Sequence, residues 1–416
     1  MEKDISKKEV KQEEIQVLSI EEIILLGAKE RVKMALLQER GNYLKAQEHL
    51  KLENEKNAIV SNGFGEERSV QTPVGPVSTA VPRTRNRSGL LNEEGSLENF
   101  KSSILPSYSR KSLTIEESIP LLYLHGLSTN DFVPALKRMF GEKAMGISAS
   151  SILRMLDTWK NEMEAWKKRD FSGKEYCYIW VDGIYFGARN STEDLCVLVM
   201  IGATKEGKKE LIMIESGYRE STESWLSLLR QVKIQGLSPA KLFIGDGALG
   251  FWSAARQVFP GVKEQRCWVH KTANVLDKLP KSQQKQAKSM IQEIYMAPSC
   301  KEALLNYDRF ISVYKDKYPK AIVCLEKDKG RLFTFYDFPA AHWIHIRTTN
   351  PIESTFATAR LRSKKTRGNW STGKTEMMVF KLLQKASRGW KRLNKHKEVE
   401  KVMLGVKYID GIAKAA

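Results

Sequence analysis

Apolar and polar positions follow a helical period through most of the first 170 residues, with one interruption. Apolar residues recur every three or four positions over 19–52, which predicts one or two amphipathic helices that serve core packing or dimerisation. Three further runs, at 114–126, 127–141 and 147–169, predict two short helices and a longer basic one. That succession is the pattern of a helix-turn-helix, which is typical of DNA binding, although many three-helix bundles share it.

The interruption, residues 60–95, is rich in Gly, Pro, Ser and Thr and carries the basic cluster RTRNR. Such a composition predicts a linker. Its three arginines, Arg83, Arg85 and Arg87, also suit a basic arm that lies along DNA and binds phosphates. A linker that becomes ordered on DNA satisfies both interpretations.

From residue 175 the apolar pattern switches to the alternation of β-strands. It predicts three strands, a helix, a strand, a helix and a further strand, at 176–189, 195–204, 210–219, 221–237, 241–248, 251–259 and 263–270. Residues 272–330 have an all-helical pattern, and an irregular aromatic segment then leads into a helix that holds Glu353. We therefore predict a mixed α/β core in the order β-β-β-α-β-α-β-α, with an all-helical insertion and helical N-terminal domains.

The charge of the chain narrows the class of function. Lys and Arg outnumber Asp and Glu by 68 to 49, a net charge of +19, which favours a polyanionic partner such as nucleic acid over a merely soluble basic protein. The five cysteines are irregularly spaced, which favours a reducing, cytoplasmic compartment over a disulfide framework. The charged N-terminus does not resemble a signal peptide, and the absence of a Gly-x4-Gly-Lys-Ser/Thr loop argues against ATP dependence.

Two aspartates stand at or near the ends of strongly apolar predicted strands. Asp182 lies in WVDGIYFG and Asp246 in FIGDGALG, and each is followed by glycine. A turn is the alternative for both, because Asp-Gly between apolar residues is a hairpin signal. Metal binding needs a further carboxylate beside these two.

Glu353 is the candidate for that carboxylate. It follows a proline by two residues, at the expected start of a helix, where the helix dipole alone favours a glutamate. The stretch from Arg360 to Lys397 then carries thirteen Lys/Arg and one acid, Glu376. Two strand-borne aspartates and a helix-borne glutamate suit two Mg²⁺ ions for phosphoryl transfer, with the basic stretch holding the phosphate backbone beside them.

Two long blocks carry a family resemblance. GDGALGFWSAARQVFPGVKEQRCWVHKTANVLDKLP (245–280) and RTTNPIESTFATARLRSKKTRG (347–368) closely resemble the Mutator-type transposases of bacterial insertion sequences. These are DDE recombinases with an RNase H-like catalytic core. The shorter YIWVDGIYFGAR resembles the strand that carries the family's first aspartate. The resemblance covers roughly residues 110–395, and the first 60 residues match in general character only.

The resemblance implies Asp182, Asp246 and Glu353 as the catalytic, metal-binding triad, with two Mg²⁺ or Mn²⁺ ions as cofactor. It implies binding of terminal inverted repeats, cleavage of 3′ ends and their transfer to target DNA, often through a circular intermediate. The need to bring two DNA ends together implies a homodimer, and the bacterial family implies action in the cytoplasm, at the nucleoid. Two other hypotheses stay open: a DNA-binding descendant without catalysis, and a nuclease that hydrolyses but never joins.

The patterns and the resemblance together divide the chain into seven segments. They are an N-terminal helical region for DNA binding or dimerisation (1–60), a basic linker (61–110), a helix-turn-helix-like DNA-binding domain (111–170), the first part of the RNase H-like core (171–280), a helical insertion (281–345), the last core helices with Glu353 (346–395) and a C-terminal tail (396–416).

The family also has a Cys-x-x-His signature, here Cys267 and His270, expected just after the fifth strand and near the active site. There His270 would hold a scissile phosphate or a flanking base. An alternative is a zinc site in which Cys267 and His270 are joined by His342 and His345, which offer suitable ligand types. A plain core role for Cys267 is a third option.

The remaining candidates would contact DNA near the metal ions. Residues close to Glu353 along the chain suit phosphate contact, and these are Asn350, Arg360 and Arg362. The basic stretch continues through Lys364, Lys365 and Arg367. Two aromatic residues suit either stacking on an unpaired base or packing in the core, and these are Trp252 and Trp343.

Overall fold

The structure is a computed structural model that describes residues 18–89, 99–124, 127, 131–140, 149–186, 195–217, 219–247, 249–365 and 372–414. The chain divides into two compact units, Met1–Leu153 and Arg154–Ala416. In the described part of the chain, no helix combines the length and the apolar character needed to cross a membrane.

The first unit begins with a long helix, α1 (Ile20–Ala46), inside the predicted helical region. Ser19 caps this helix by accepting a hydrogen bond from the backbone of Glu22, while the Glu22 carboxylate accepts from the backbone of Ser19. Such a reciprocal cap satisfies backbone donors that have no partner inside the helix. Leu36 is the buried residue of α1, and it packs against Val70 and Leu105.

The segment predicted as a linker forms a β-hairpin instead. Strands β1 (Ile59–Thr72) and β2 (Gly75–Asn86) pair antiparallel along most of their length. Buried and partly exposed residues alternate along β2, which is the period-two signal that the Gly, Pro and Ser content obscured. Gly75 closes the turn with a φ of 115°, a conformation that glycine adopts without strain.

Two short helices follow, α2 (Leu113–Leu124) and α3 (Phe132–Phe140). Both fall within the predicted helical runs. Most of the connection between them, and the residues 141–148 that follow α3, lie outside the described residues. The helix-turn-helix therefore stays a prediction.

The boundary between the two units falls inside α4 (Ala149–Lys167), the third of the helices predicted for the helix-turn-helix. The C-terminal half of α4 belongs to the second unit, where the ring centroids of Trp166 and Phe380 lie 4.9 Å apart. Lys167 forms ion pairs with Glu376 and, at 2.7 Å, with Glu215. Buried charges need such partners, so these pairs hold the end of α4 in place within the second unit.

The second unit is built on a five-stranded mixed sheet. Its strands are β3 (Tyr176–Phe186), β4 (Leu195–Thr204), β5 (Lys209–Gly217), β6 (Leu242–Gly245) and β7 (Lys263–Arg266). The order across the sheet is β5-β4-β3-β6-β7, antiparallel within β3, β4 and β5 and parallel from β3 to β6 and β7. Three leading strands and then alternating helices and strands agree with the predicted order.

Helices α5 (Thr222–Ile234) and α6 (Leu249–Val258) cover one face of this sheet. Their buried side chains form one hydrophobic cluster with Ile179 and Val181 of β3. Because neighbouring residues of a strand point to opposite faces, Asp182 lies on the other face. The strand β3 also contacts the later helix that spans Asn350–Lys365.

The sheet is followed by a run of helices that begins with α7 (Trp268–Leu276). The segment predicted as a helical insertion, 281–345, then holds α8 (Lys281–Met296), α9 (Cys300–Tyr314), α10 (Pro319–Glu326), α11 (Lys329–Leu332), two 3-10 turns (Thr334–Asp337 and Ala340–His342) and the start of α12 (Trp343–Ile346). The strand predicted over 263–270 is shorter, because it ends at Arg266 and Cys267 is the N-cap of α7.

The chain then returns to the sheet with α13 (Asn350–Lys365) and α14 (Thr372–Ser387). The expected C-terminal tail contains a short helix, α15 (Lys397–Met403), and a two-residue ladder between β8 (Tyr408–Ile409) and β9 (Ile412–Ala413). The sheet and α13 are the elements that position the candidate site.

Candidate active site

Neighbouring parallel strands bring Asp182 and Asp246 to the same edge of the sheet. Val181 of β3 pairs with Gly245 of β6, so each aspartate directly follows a paired residue. Asp182 is 7% exposed, and its Oδ1 accepts a hydrogen bond of 2.9 Å from the backbone of Gly183. The turn alternative does not apply to Asp182, because β3 runs straight through it to Phe186.

Glu353 lies in the first turn of α13, as the sequence predicted. Its backbone N–H donates to the carbonyl of Thr349 at 3.0 Å. The Thr349 hydroxyl, from a fully buried residue, donates to Glu353 Oε1 at 2.6 Å. These two bonds fix both the start of the helix and the direction of the carboxylate.

His270 connects the second aspartate to the glutamate. Its Nδ1 lies 3.9 Å from Asp246 Oδ1 and 3.5 Å from Glu353 Oε1. Burial alone would lower the pKa of His270, but the hydrogen bond with Cys267 and the charges of Asp246 and Asp182 raise it to about 9. The imidazole is therefore protonated at neutral pH in the absence of a metal ion.

Asp182 is the most perturbed carboxyl of the group. Burial, followed by the negative charges of Glu220, Asp246 and Glu353, raises its pKa to about 8, against a lowering contribution from His270. Asp182 therefore lies close enough to Asp246 and Glu353 for its ionised form to be repelled by both. A divalent cation would stabilise their ionised forms, and oxygen ligands are the type that Mg²⁺ prefers, so the residues fit the expected cofactor.

The Cys-x-x-His pair lies at this site, just after the last strand of the sheet. Cys267 Sγ accepts a hydrogen bond of 3.3 Å from the backbone N–H of Thr349, and it lies 3.3 Å from the Thr349 hydroxyl, whose proton is directed at Glu353. Ligand atoms of Cys267, His270 and Glu353 all lie within 4.8 Å of one another. The Thr349 hydroxyl contacts all three residues, so it joins the pair to the glutamate.

The zinc alternative is wrong in this structure. His342 Nδ1 lies 2.7 Å from the hydroxyl of Tyr178, in the core, and His345 Nε2 accepts from the backbone of Asn394 at 3.2 Å. Among the described residues, neither histidine joins a group of metal-ligating side chains with Cys267 and His270. Burial lowers the pKa of His342 to about 4, which fits a neutral core residue.

Sequence reasoning missed two charged residues at the site. Arg266, at the end of β7, is 1% exposed and forms an ion pair with Asp246 Oδ1. Glu220 follows β5, and its carboxylate lies where a Cβ on Gly183 would be. After burial, its negative charge is the largest contribution that raises the pKa of Asp182. Burial and the charge of Asp246 raise the pKa of Glu220. One feature of the sequence could have identified Arg266: it is a charged residue at the end of a predicted strand, directly before Cys267.

The basic continuation of α13 is described only in part. Asn350 and Arg360 are exposed, and the Arg360 guanidinium carbon lies 5.8 Å from the ring centroid of Phe356. The backbones of three further candidates lie in α13 while their side chains fall outside the described residues, and these are Arg362, Lys364 and Lys365. Arg367 falls outside the described residues altogether.

The two aromatic candidates are packing residues. Trp252 is 2% exposed and belongs to the hydrophobic cluster under the sheet, so the stacking expectation is wrong for it. Trp343 is partly buried, donates to the carbonyl of Phe338 at 2.8 Å and makes edge contacts with Phe335 and Tyr336. The core alternative describes both residues.

The arginines of the predicted basic arm lie in the first unit. Arg83 and Arg85 occupy alternate positions of β2 and Arg87 follows its end, so the three share one exposed face of the hairpin. The residues between them, Thr84 and Asn86, are buried.

Clustered carboxylates at one edge of an α/β sheet, next to a helix that continues into basic sequence, are typical of enzymes that act on nucleic acid phosphates. The sequence model of the Mutator family of transposases matches residues 1–392, and the chain belongs to this family.

Relatives of the chain are transposases of bacterial insertion sequences. It is 49% identical over 297 residues to the transposase for insertion sequence element IS6120 of Mycolicibacterium smegmatis, which covers 71% of this chain and 92% of the relative. It is 46% identical over 281 residues to the transposase for element IST2 of Acidithiobacillus ferrooxidans, covering 67% and 94%. A third, the transposase for IS256 in transposon Tn4001 of Staphylococcus aureus, is 30% identical over 333 residues, covering 78% and 80%.

Proposed function

We propose that this protein is an active DDE transposase with an RNase H-like core. It would bind the terminal inverted repeats of its insertion sequence, cleave the 3′ ends and join them to new DNA, through a circular intermediate. The observation that carries the proposal is the convergence of Asp182, Asp246 and Glu353 in a chain of the Mutator family. The strand order and the helical insertion between Asp246 and Glu353 support the RNase H-like core.

The three carboxylates would hold two Mg²⁺ or Mn²⁺ ions. When bound, such ions activate the attacking oxygen and stabilise the leaving oxygen in phosphoryl transfer. The support is the donor set: two carboxylates on adjacent strands, a third on a helix start, and a buried Asp182 whose ionised form needs a nearby cation.

The surrounding residues would orient these carboxylates and hold the DNA. Thr349 directs Glu353 through the 2.6 Å hydrogen bond. His270, whose Nδ1 lies 3.5 Å from Glu353 Oε1, would use its ring to bind a phosphate oxygen beside the metal ions. Arg360 lies two helical turns beyond Glu353, where it would reach the same DNA backbone.

The first unit would add affinity for DNA and bring two protomers together. The exposed face of the hairpin that carries Arg83, Arg85 and Arg87 would follow a phosphate backbone, and so bind without sequence preference. Helix α1 exposes apolar residues at helical spacing, Ile20, Ile23 and Ile24, which supports a homodimer through the N-terminal region. Such a dimer would work on the nucleoid in a bacterial cytoplasm.

The test is strand transfer by the full-length protein. Labelled DNA that carries the element's own ends is incubated with a target DNA, with Mg²⁺ or with EDTA, beside the variant Asp246→Asn. Joined products that need Mg²⁺ and disappear in the variant are the expected result. Cleavage without joining would replace the proposal by a nuclease, and DNA binding without either reaction would replace it by a DNA-binding descendant.

A further inference from the structure

A buried arginine links the candidate site to the helical insertion. Arg266 ends β7 beside Gly245, its partner in the sheet, and is among the largest fully buried side chains. A guanidinium stays charged inside a protein, so its burial is tolerated only next to carboxylates. Arg266 has two: its Nη1 pairs with Asp246 Oδ1, and its Nε lies 3.5 Å from Asp328 Oδ2.

The contact with Asp246 is built into the backbone. A Cβ on Gly247 would lie 2.6 Å from the Arg266 guanidinium, so only glycine leaves room for this approach. The Gly247 N–H donates at 2.5 Å to Asp246 Oδ1, the oxygen that Arg266 also contacts. Two donors on one oxygen fix the rotation of the carboxylate and leave Oδ2 outside both contacts.

Asp328, the second carboxylate beside the Arg266 guanidinium, is also fixed by several contacts. It is 7% exposed, just before α11 in the insertion, and its oxygens lie 2.5 Å from Lys271 Nζ and 2.6 Å from Arg331 Nη2. Although burial works against ionisation, the contacts with Lys271, Arg331 and Arg266 lower the pKa of Asp328. Asp328 is therefore an anion at neutral pH, and it shares the positive charge of Arg266 with Asp246.

We propose that Arg266 and Asp328 are positioning residues: Arg266 orients Asp246 for metal binding, and Asp328 of the insertion draws part of the guanidinium charge away from Asp246. This inference rests on the proposed function. Without Asp328, Arg266 would have Asp246 as its remaining anionic partner among the residues that the structure describes. A stronger pair between Arg266 and Asp246 competes with the ion for that carboxylate, so metal affinity falls.

The decisive variant is Asp328→Asn, and Mn²⁺ binding to the full-length protein is measured by calorimetry. Partners that hydrogen-bond to metal ligands typically change metal affinity by roughly 10- to 100-fold, and we expect a loss of about tenfold or more. The matched control is Asp337→Asn, which removes the same charge from the same insertion. Asp337 pairs with Lys263 of β7 at 2.6 Å, but its side chain is 51% exposed and it does not contact Arg266.

A second variant guards against loss of the fold. Arg331→Gln removes one cation from a side chain that is 20% exposed, so it should fold and leave Asp328 free to draw Arg266 more strongly. Tighter Mn²⁺ binding is expected for Arg331→Gln and weaker binding for Asp328→Asn, with DNA-end binding unchanged in both. Equal Mn²⁺ affinity of the Asp328→Asn and Asp337→Asn variants would overturn the inference. If Asp328→Asn does not fold, weaker Mn²⁺ binding by Arg331→Gln than by the wild type would overturn it instead. Failure of the proposed function would appear separately, as undiminished joining by Asp246→Asn.

Discussion

Replacing Asp182 with asparagine should stabilise the metal-free protein. The folded state raises the pKa of Asp182 from 3.8 to about 8, so the carboxyl keeps its proton at pH values where the unfolded chain has lost it. Between these two values the unfolded state binds fewer protons, and stability falls as the pH rises. Asparagine fills the same space without ionising in either state, so it removes this loss.

The size of the effect follows from the shift. At pH 7 the ionisation of Asp182 in the unfolded chain lowers the free energy of unfolding by about 4 kcal/mol, because each pH unit above 3.8 contributes roughly 1.4 kcal/mol. The lowering effect of His270 is already contained in the pKa of about 8, so we expect Asp182→Asn to raise the free energy of unfolding at pH 7 by about 4 kcal/mol. For the second unit this corresponds to a rise of roughly 8 °C or more in the melting temperature.

The assay is calorimetric melting of the metal-free protein at pH 5, 6 and 7, with Asp246→Asn as the matched variant. Asp246 pairs with buried Arg266, so its loss should destabilise the protein by about 1 kcal/mol or more, the opposite sign. The gain from Asp182→Asn should grow with pH over this range. Destabilisation by Asp182→Asn, or a gain that does not change with pH, would refute the electrostatic reasoning.

Two further predictions concern Glu353 and the hairpin. Thr349→Val removes the hydroxyl that directs Glu353, and we expect strand transfer to slow by about tenfold while DNA binding is unchanged. The control is Thr355→Val in α13, the helix of Glu353, which should have little effect on strand transfer. Equal rates of strand transfer for the two variants would contradict the role of Thr349. Changing Arg83, Arg85 and Arg87 together to glutamine should weaken DNA binding and reduce the slope of log affinity against log salt by about 3, near 0.9 for each lost phosphate contact. The control is the replacement of three exposed lysines of α8 with glutamine, and these are Lys281, Lys285 and Lys288. An unchanged slope for the arginine variant, or an equal reduction of the slope in the lysine variant, would exclude the hairpin as a phosphate-binding arm.

The elements of the second unit could be predicted because their signals are local. The apolar run that contains Asp182 and the one that precedes Asp246 are strands, and Glu353 stands at a helix start, as its preceding proline indicated. The hairpin at 59–86 was missed because its turn-forming residues also suit a linker, and only the alternation of buried positions distinguishes the two.

Contacts between residues distant in sequence could not be predicted. Nothing local to Arg266 indicates that its partners are Asp246 and Asp328, one on a neighbouring strand and one in the insertion. The same holds for Trp252, whose position after Asp246 suggested a DNA contact while its side chain points into the core. The pairing of His342 with Tyr178 likewise follows from packing alone.

The central claim is that Asp182, Asp246 and Glu353 form one catalytic centre, and strand transfer by Glu353→Gln tests it most directly. The amide keeps the shape of the side chain and can still accept from Thr349, so folding and binding to the element's ends should stay at the wild-type level. Joined products should be absent with both Mg²⁺ and Mn²⁺. Joining at the wild-type rate by this variant, with end binding intact, would contradict the assignment of Glu353 and with it the shared centre.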